Sequence, residues 1–325
     1  MTQPQITIIG MGLIGTSLGL ALKSSSRDLH LVGHDAEVGR GRLALKKGAL
    51  DESKVNLIAA CENTDLVILA IPISGIRETL EAVGPNLKPG CVVTDTATLK
   101  APVLAWADEI LPPEIPFVGG DPVLSPAAPV DPGGGLEAAR ADLFQGAVYC
   151  LTATPDTPPT ALKRVSDMVN LIGARPFYPD PLEHDGLRAA VDGLPTLVGL
   201  ALAQTVIRSP SWLEGRKLAD YAFKLATSLV VGDADALRAM SLLNRENLLP
   251  WLDNYLRELH QLRELVAAAD GDQLDKTITQ TLQARDRWLK DREFGDWEDS
   301  LAGPEMPKPS DVIRQRLGLG GTPSN

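Results

Sequence analysis

Apolar residues follow two rhythms along this chain. Up to about residue 178 they come as short runs, at 6–9, 29–32, 66–71, 91–94, 117–118, 148–151 and 174–178. Runs of this length, separated by stretches of helical spacing, predict strands of a parallel sheet with helices on both faces. After Asp185 the rhythm changes. Leu187, Val191 and Leu194, then Leu237, Met240 and Leu243, then Leu252, Leu256, Leu259 and Leu262 recur three or four apart, and a last helix is expected over roughly 272–292. The pattern predicts an α/β, doubly wound parallel sheet followed by an all-helical domain.

The first run opens the most informative stretch, "ITIIGMGLIGTSLGLAL". A strand leads into Gly10-x-Gly12-x-x-Gly15, and a helix follows. In this context Gly10 makes the tight turn and Gly12 admits a pyrophosphate to the helix N-terminus. Gly15 lets helix and strand approach. Leu13 and Ile14 complete the loop. Asp35 stands twenty residues after Gly15, at the end of the next run, where an acid accepts hydrogen bonds from ribose hydroxyls. That favours NAD; Arg40 and Arg42 follow closely enough to keep NADP as the alternative. Three further strand ends are expected to face the nicotinamide: Ala70-Ile71-Pro72, the segment 94–100 and the Gly-Gly-Asp-Pro turn at 119–122. Ile71 and Pro72 are therefore assigned to the cofactor site. The expected parts are a Rossmann domain over 1–180, a helical substrate and dimerisation domain over 181–302, and a flexible tail over 303–325. The Pro- and Gly-rich segment 125–135 reads as a surface loop or a lid edge.

Composition narrows the partners. The net charge of −11 argues against nucleic acid. The three cysteines have no metal-ligand or CxxC spacing, so no metal is expected. Without a leader-like start or an unbroken apolar run of membrane-spanning length, a cytoplasmic protein without a membrane span is expected. The long apolar helices suit a homodimer core.

Taken together, residues 6 to about 293 resemble the prephenate and arogenate dehydrogenases of tyrosine biosynthesis. The resemblance rests on "GMGLIGTSLGLAL", "TDTATLK", "FVGGDPVLS", "EAARADLFQGAVYCLT", "EHDGLRAAVDGLPTLVGLAL", "NRENLLPWLDNYLREL" and "LQARDRWLKDR". It implies oxidative decarboxylation of a cyclohexadiene with a ring hydroxyl and a ring carboxylate. It also implies that a histidine after the double glycine contacts the hydroxyl, that a serine nearby assists, and that His and Arg on the helical domain bind the anion. Here the histidine position is Asp121, and the serine position is Thr98, followed by the matching Lys100. The family's Ser-His-Leu-Pro-His is 192–196, Asp-Gly-Leu-Pro-Thr. Lys224 stands near the helical arginine. The candidate catalytic residues are Asp121, Thr98 and Lys100; the candidate substrate-binding residues are His184, Lys224 and Arg245, with Arg140 a further anion binder.

Asp121 is the main departure. An aspartate near pKa ~3.9 is a poorer base than a histidine near ~6.5. A carboxylate ~5 Å from a substrate carboxylate is repelled by roughly 3 kcal/mol at an effective dielectric of ~20. Three readings follow: a dehydrogenase of prephenate or arogenate, a relative acting on an amino-bearing or less anionic substrate, and a dinucleotide-binding sensor or partner protein without turnover. Asp121 also reads as a turn residue, and Asp185 as an N-cap of its own helix.

Overall fold

A computed structural model describes residues 3–26, 28–125 and 135–294, with side chains to 292. The chain divides into two compact units, Met1–Glu264 and Leu265–Asn325. The first holds an eight-stranded sheet. Its strands are β1 (Gln5–Ile9), β2 (His30–His34), β3 (Glu52–Ser53), β4 (Leu66–Leu69), β5 (Val92–Asp95), β6 (Phe117–Val123), β7 (Val148–Thr152) and β8 (Arg175–Phe177). The order is β3-β2-β1-β4-β5-β6-β7-β8, so the winding reverses between β1 and β4. That reversal opens a crevice at the carboxyl ends of those strands, where open α/β sheets bind ligands.

Two apolar layers flank the sheet. One packs Ile8, Leu18, Leu22 and Val165 from β1 and the helices Leu13–Ser25 and Pro159–Leu171. The other packs Leu69, Ile76, Leu80 and Val103 from β4 and the helices Ile73–Val83 and Ala101–Ile110. The fully buried central strands explain their unbroken apolar runs.

Two expectations are corrected here. The sheet is not wholly parallel: β6 and β7 pair antiparallel, with Asp121 opposite Cys150. The Gly-Gly-Asp-Pro segment is also not a turn but the second half of β6. Its glycines answer to neighbouring strands rather than to a ligand. A Cβ on Gly120 would lie 2.5 Å from the Asp95 carbonyl oxygen, and one on Gly119 would lie 2.4 Å from Thr152 Oγ1.

Beyond the sheet, Asp180 caps a helix that continues from Pro181 to Ile207. A π-helical turn, Ala189–Gly193, interrupts it. Contrary to the sequence expectation, this helix is long and apolar enough to cross a membrane: 27 residues, with a window of mean hydropathy 1.5. In sequence, Arg188, Asp192 and Pro195 break the run; the π turn carries the helix through them. Within the second unit, the helix Gly271–Phe294 agrees closely with the last expected helix. The expected tail and the core of the expected lid edge lie outside the described residues.

Candidate active site

At the end of β1 the glycines divide the work as the spacing predicts. Gly10 has φ +95°, and a Cβ on it would lie 2.3 Å from the Ala70 carbonyl oxygen. One on Gly15 would lie 1.9 Å from the Gly10 oxygen, so strand and helix can meet only there without side chains. Gly12 differs: nothing lies within 4 Å of its Cβ position, and it begins the helix Leu13–Ser25 with no side chain capping it. The first turn of that helix therefore presents free N–H groups to the space in front, which suits a pyrophosphate. Asp35 braces the loop, accepting from Met11 N at 2.7 Å and from Glu37 N at 2.8 Å. Arg40 pairs with Glu37 at 2.8 Å. An acid at the ribose position and an arginine held by its neighbour both fit NAD better than a 2′-phosphate.

In front of this turn lies a cavity of about 490 Å³. Its walls are the loop at 12–14, the strand ends at 70–73 and 96–98, and Asp192, Thr196 and Met240 from the helical part. Ile71, Pro72 and Thr98 are among the residues that line it. A larger cavity of about 970 Å³ opens beside Gln5, Asp65 and Arg164. It sits at the amino ends of β1 and β4, away from the glycine loop, so the smaller cavity is the candidate site.

Behind the cleft is a buried charge cluster. Lys100 Nζ donates to Asp95 Oδ2 at 2.5 Å and to the Gly120 oxygen at 2.6 Å, and both side chains are fully buried. Burial pushes the Asp95 carboxyl up, against the pull of Lys100. The backbone N–H groups of Lys100 and Ala101 donate to the Asp185 carboxylate at 2.7 and 2.9 Å. Asp185 therefore caps the helix Ala101–Ile110, not its own helix. His184 lies between two carboxylates, with Nδ1 3.0 Å from Asp185 Oδ1 and Nε2 3.1 Å from Asp121 Oδ2. Both ring nitrogens thus act as donors. Burial works against the charge, but the bonds to Asp121 and Asp185 outweigh it, and the imidazole is pushed up to about 10. Arg188 Nε approaches Asp121 Oδ2 to 3.1 Å, and its Nη2 lies 3.5 Å from Asp192 Oδ2. Burial would raise the Asp121 carboxyl; Arg188, His184 and Lys100 together hold it below the ordinary carboxylate range.

Several sequence assignments are corrected by this geometry. Asp121 does not line the cleft. It is 1% exposed and held by His184 and Arg188. Lys100 and His184, also buried, stand behind the cleft. Lys224 is exposed on the short helix Tyr221–Ala226, and Arg245 is exposed and pairs with Glu246; neither lines the cleft. Arg140 pairs with Asp142. The sequence reading missed Arg188 and the role of Asp192. Their spacing of four was visible, but only the π turn shows which way they face.

Two family models match the chain: the nucleotide-binding domain of prephenate dehydrogenase over residues 18–178, and its dimerization domain over residues 180–280. The prephenate dehydrogenase of Bacillus subtilis (strain 168) is 27% identical over 290 residues, 88% of this chain and 77% of that one. The cyclohexadienyl dehydrogenase of Zymomonas mobilis is 29% identical over 284 residues, 86% and 94% of the two chains. A solved structure of A. aeolicus prephenate dehydrogenase, in complex with hydroxyphenyl propionate and NAD+, aligns with a TM-score of 0.77 at 25% identity. That alignment covers 88% of this chain and 99% of the other.

Proposed function

Because the chain belongs to the prephenate dehydrogenase family, we propose that it is an NAD-dependent dehydrogenase of tyrosine biosynthesis, acting on prephenate or arogenate by oxidative decarboxylation. The observation that carries this reading is the uncapped glycine turn opening on the same cleft as Thr98 and Asp192. When bound, NAD supplies the hydride acceptor; the loop at 12–14 holds its pyrophosphate, and Asp35 favours an unphosphorylated ribose.

The reaction asks little proton chemistry of the protein. Hydride leaves the hydroxyl-bearing ring carbon, carbon dioxide leaves the opposite carbon, and the freed pair makes the ring aromatic. The hydroxyl keeps its proton in the product. The site therefore has to accept a hydrogen bond from that hydroxyl as hydride leaves, without keeping the proton. Thr98, on the cleft wall, is assigned to this contact. His184, already protonated at neutral pH, cannot serve as a base.

The helical part carries exposed apolar side chains, among them Leu202, Ile207, Leu218, Leu249 and Leu256. A second copy of the chain would cover them, and a homodimer in the cytoplasm belongs to the same proposal. A monomer in sedimentation at micromolar concentration would contradict that part. The activity is tested by following NADH absorbance with prephenate and with arogenate. Turnover of either supports the reading; NAD binding with turnover of neither sinks it in favour of a non-catalytic dinucleotide-binding protein.

A further inference from the structure

Among the described residues that line the cleft, Asp192 is the only ionisable one. The rest are glycine, threonine, proline and apolar side chains such as Ile14, Ile71, Leu237 and Met240. The acid is aimed there by the local backbone. The π turn Ala189–Gly193 adds a residue to one helical turn, and such turns recur at functional sites. A Cβ on Gly193 would lie 2.6 Å from Leu248 Cδ2, so the glycine lets that side chain pack against the turn. Thr196 Oγ1 donates to the Asp192 carbonyl oxygen at 2.9 Å and secures the next turn.

Asp192 is also incompletely neutralised. Its nearest cation, Arg188, is 3.5 Å away and closer to Asp121. Four carboxylates, of Asp95, Asp121, Asp185 and Asp192, share three cations, of Lys100, His184 and Arg188. The unmatched negative charge is left at the cleft, where the Asp192 side chain is 35% exposed. Burial and the nearby Asp121 push its carboxyl up against the pull of Arg188, the direction expected where a carboxylate lacks positive charge.

We propose that Asp192 is a specificity-determining residue that selects the amino-bearing substrate, taking the ammonium group of arogenate and disfavouring the keto side chain of prephenate. The proposal rests on the dehydrogenase reading above and deepens it. An ammonium gains a charge-assisted bond to a carboxylate in an apolar cleft. A keto group offers that carboxylate only lone pairs, so discrimination comes from both attraction and repulsion.

The test compares wild type with Asp192→Asn, which keeps the shape and removes the charge. Initial rates with both substrates, the Kd of NAD+, and calorimetric binding of the paired products L-tyrosine and 4-hydroxyphenylpyruvate in the presence of NAD+ are measured. Wild type is expected to have the higher kcat/KM with arogenate and to bind tyrosine more tightly than the keto acid. The variant is expected to lower the arogenate-to-prephenate ratio by roughly 10- to 100-fold, the worth of one hydrogen bond to a charged group. Three results overturn the proposal: a wild-type preference for prephenate, an unchanged ratio in the variant, or a loss confined to NAD+ affinity, which would place the carboxylate against the positive nicotinamide ring. Turnover of neither substrate sinks the dehydrogenase reading; the product comparison then still decides the role of Asp192, since equal binding of the two products refutes it.

Discussion

The cleft wall at the carboxyl ends of β1, β4 and β5 carries one ionisable side chain among its described residues, whereas the space directly behind it holds six. The six behind are almost wholly matched: Lys100 by Asp95, His184 by Asp121 and Asp185, Arg188 by Asp121. Such groups tie β5, β6 and two helices together and have little left for a ligand. The single acid in front has no full partner. Position in a family pattern is thus a poor guide to role here. Asp121 stands where the family places its histidine, yet it acts as a counter-ion, and the less obvious Asp192 meets the cleft.

The comparison is easiest to break from behind. Lys100→Met leaves Asp95 buried without its cation and is expected to cost about 3–5 kcal/mol in urea unfolding. A loss below about 1 kcal/mol would mean that the pair is open to water. Asp121→His removes the carboxylate that His184 and Arg188 share and leaves both cations short of a partner. It is expected to destabilise by roughly 3 kcal/mol without raising prephenate turnover; a gain in turnover would show that this position faces substrate after all.

The pH dependence of stability comes next. The His184 imidazole is raised from its ordinary 6.5 to about 10, so its stabilising contribution is fully present below pH 6.5 and is lost as pH rises toward 10. Unfolding midpoints should fall across that window, and His184→Gln should flatten the slope; an equal slope in both proteins would contradict the assignment. The smallest stability effect belongs to the cleft. Thr98→Val is expected to leave stability within about 1 kcal/mol of wild type while lowering kcat/KM roughly tenfold, one hydrogen bond's worth. A large stability loss would move Thr98 into the buried cluster.

Much of the scaffold was legible from pattern alone. The apolar runs marked β1, β2, β4, β5 and β7 to within a residue or two, because buried central strands leave no polar interruptions. β3, Glu52–Ser53, is two polar residues at the sheet edge and carried no such signal. The extension of β6 was hidden because Gly, Asp and Pro are turn formers; only the close approach of Asp95 and Thr152 makes glycines necessary in that strand. The glycine loop was readable because its residues act locally. The charge cluster was not, since Lys100 and Asp185 meet across 85 positions of sequence and Asp121 and His184 across 63.

The central claim, that Asp121 keeps His184 protonated and is no proton acceptor, can be read directly by nitrogen NMR of the His184 ring. The account predicts a doubly protonated imidazolium at pH 8 that titrates only near pH 10. A neutral ring at pH 8, titrating near its ordinary 6.5, would contradict it and return Asp121 to the candidate bases.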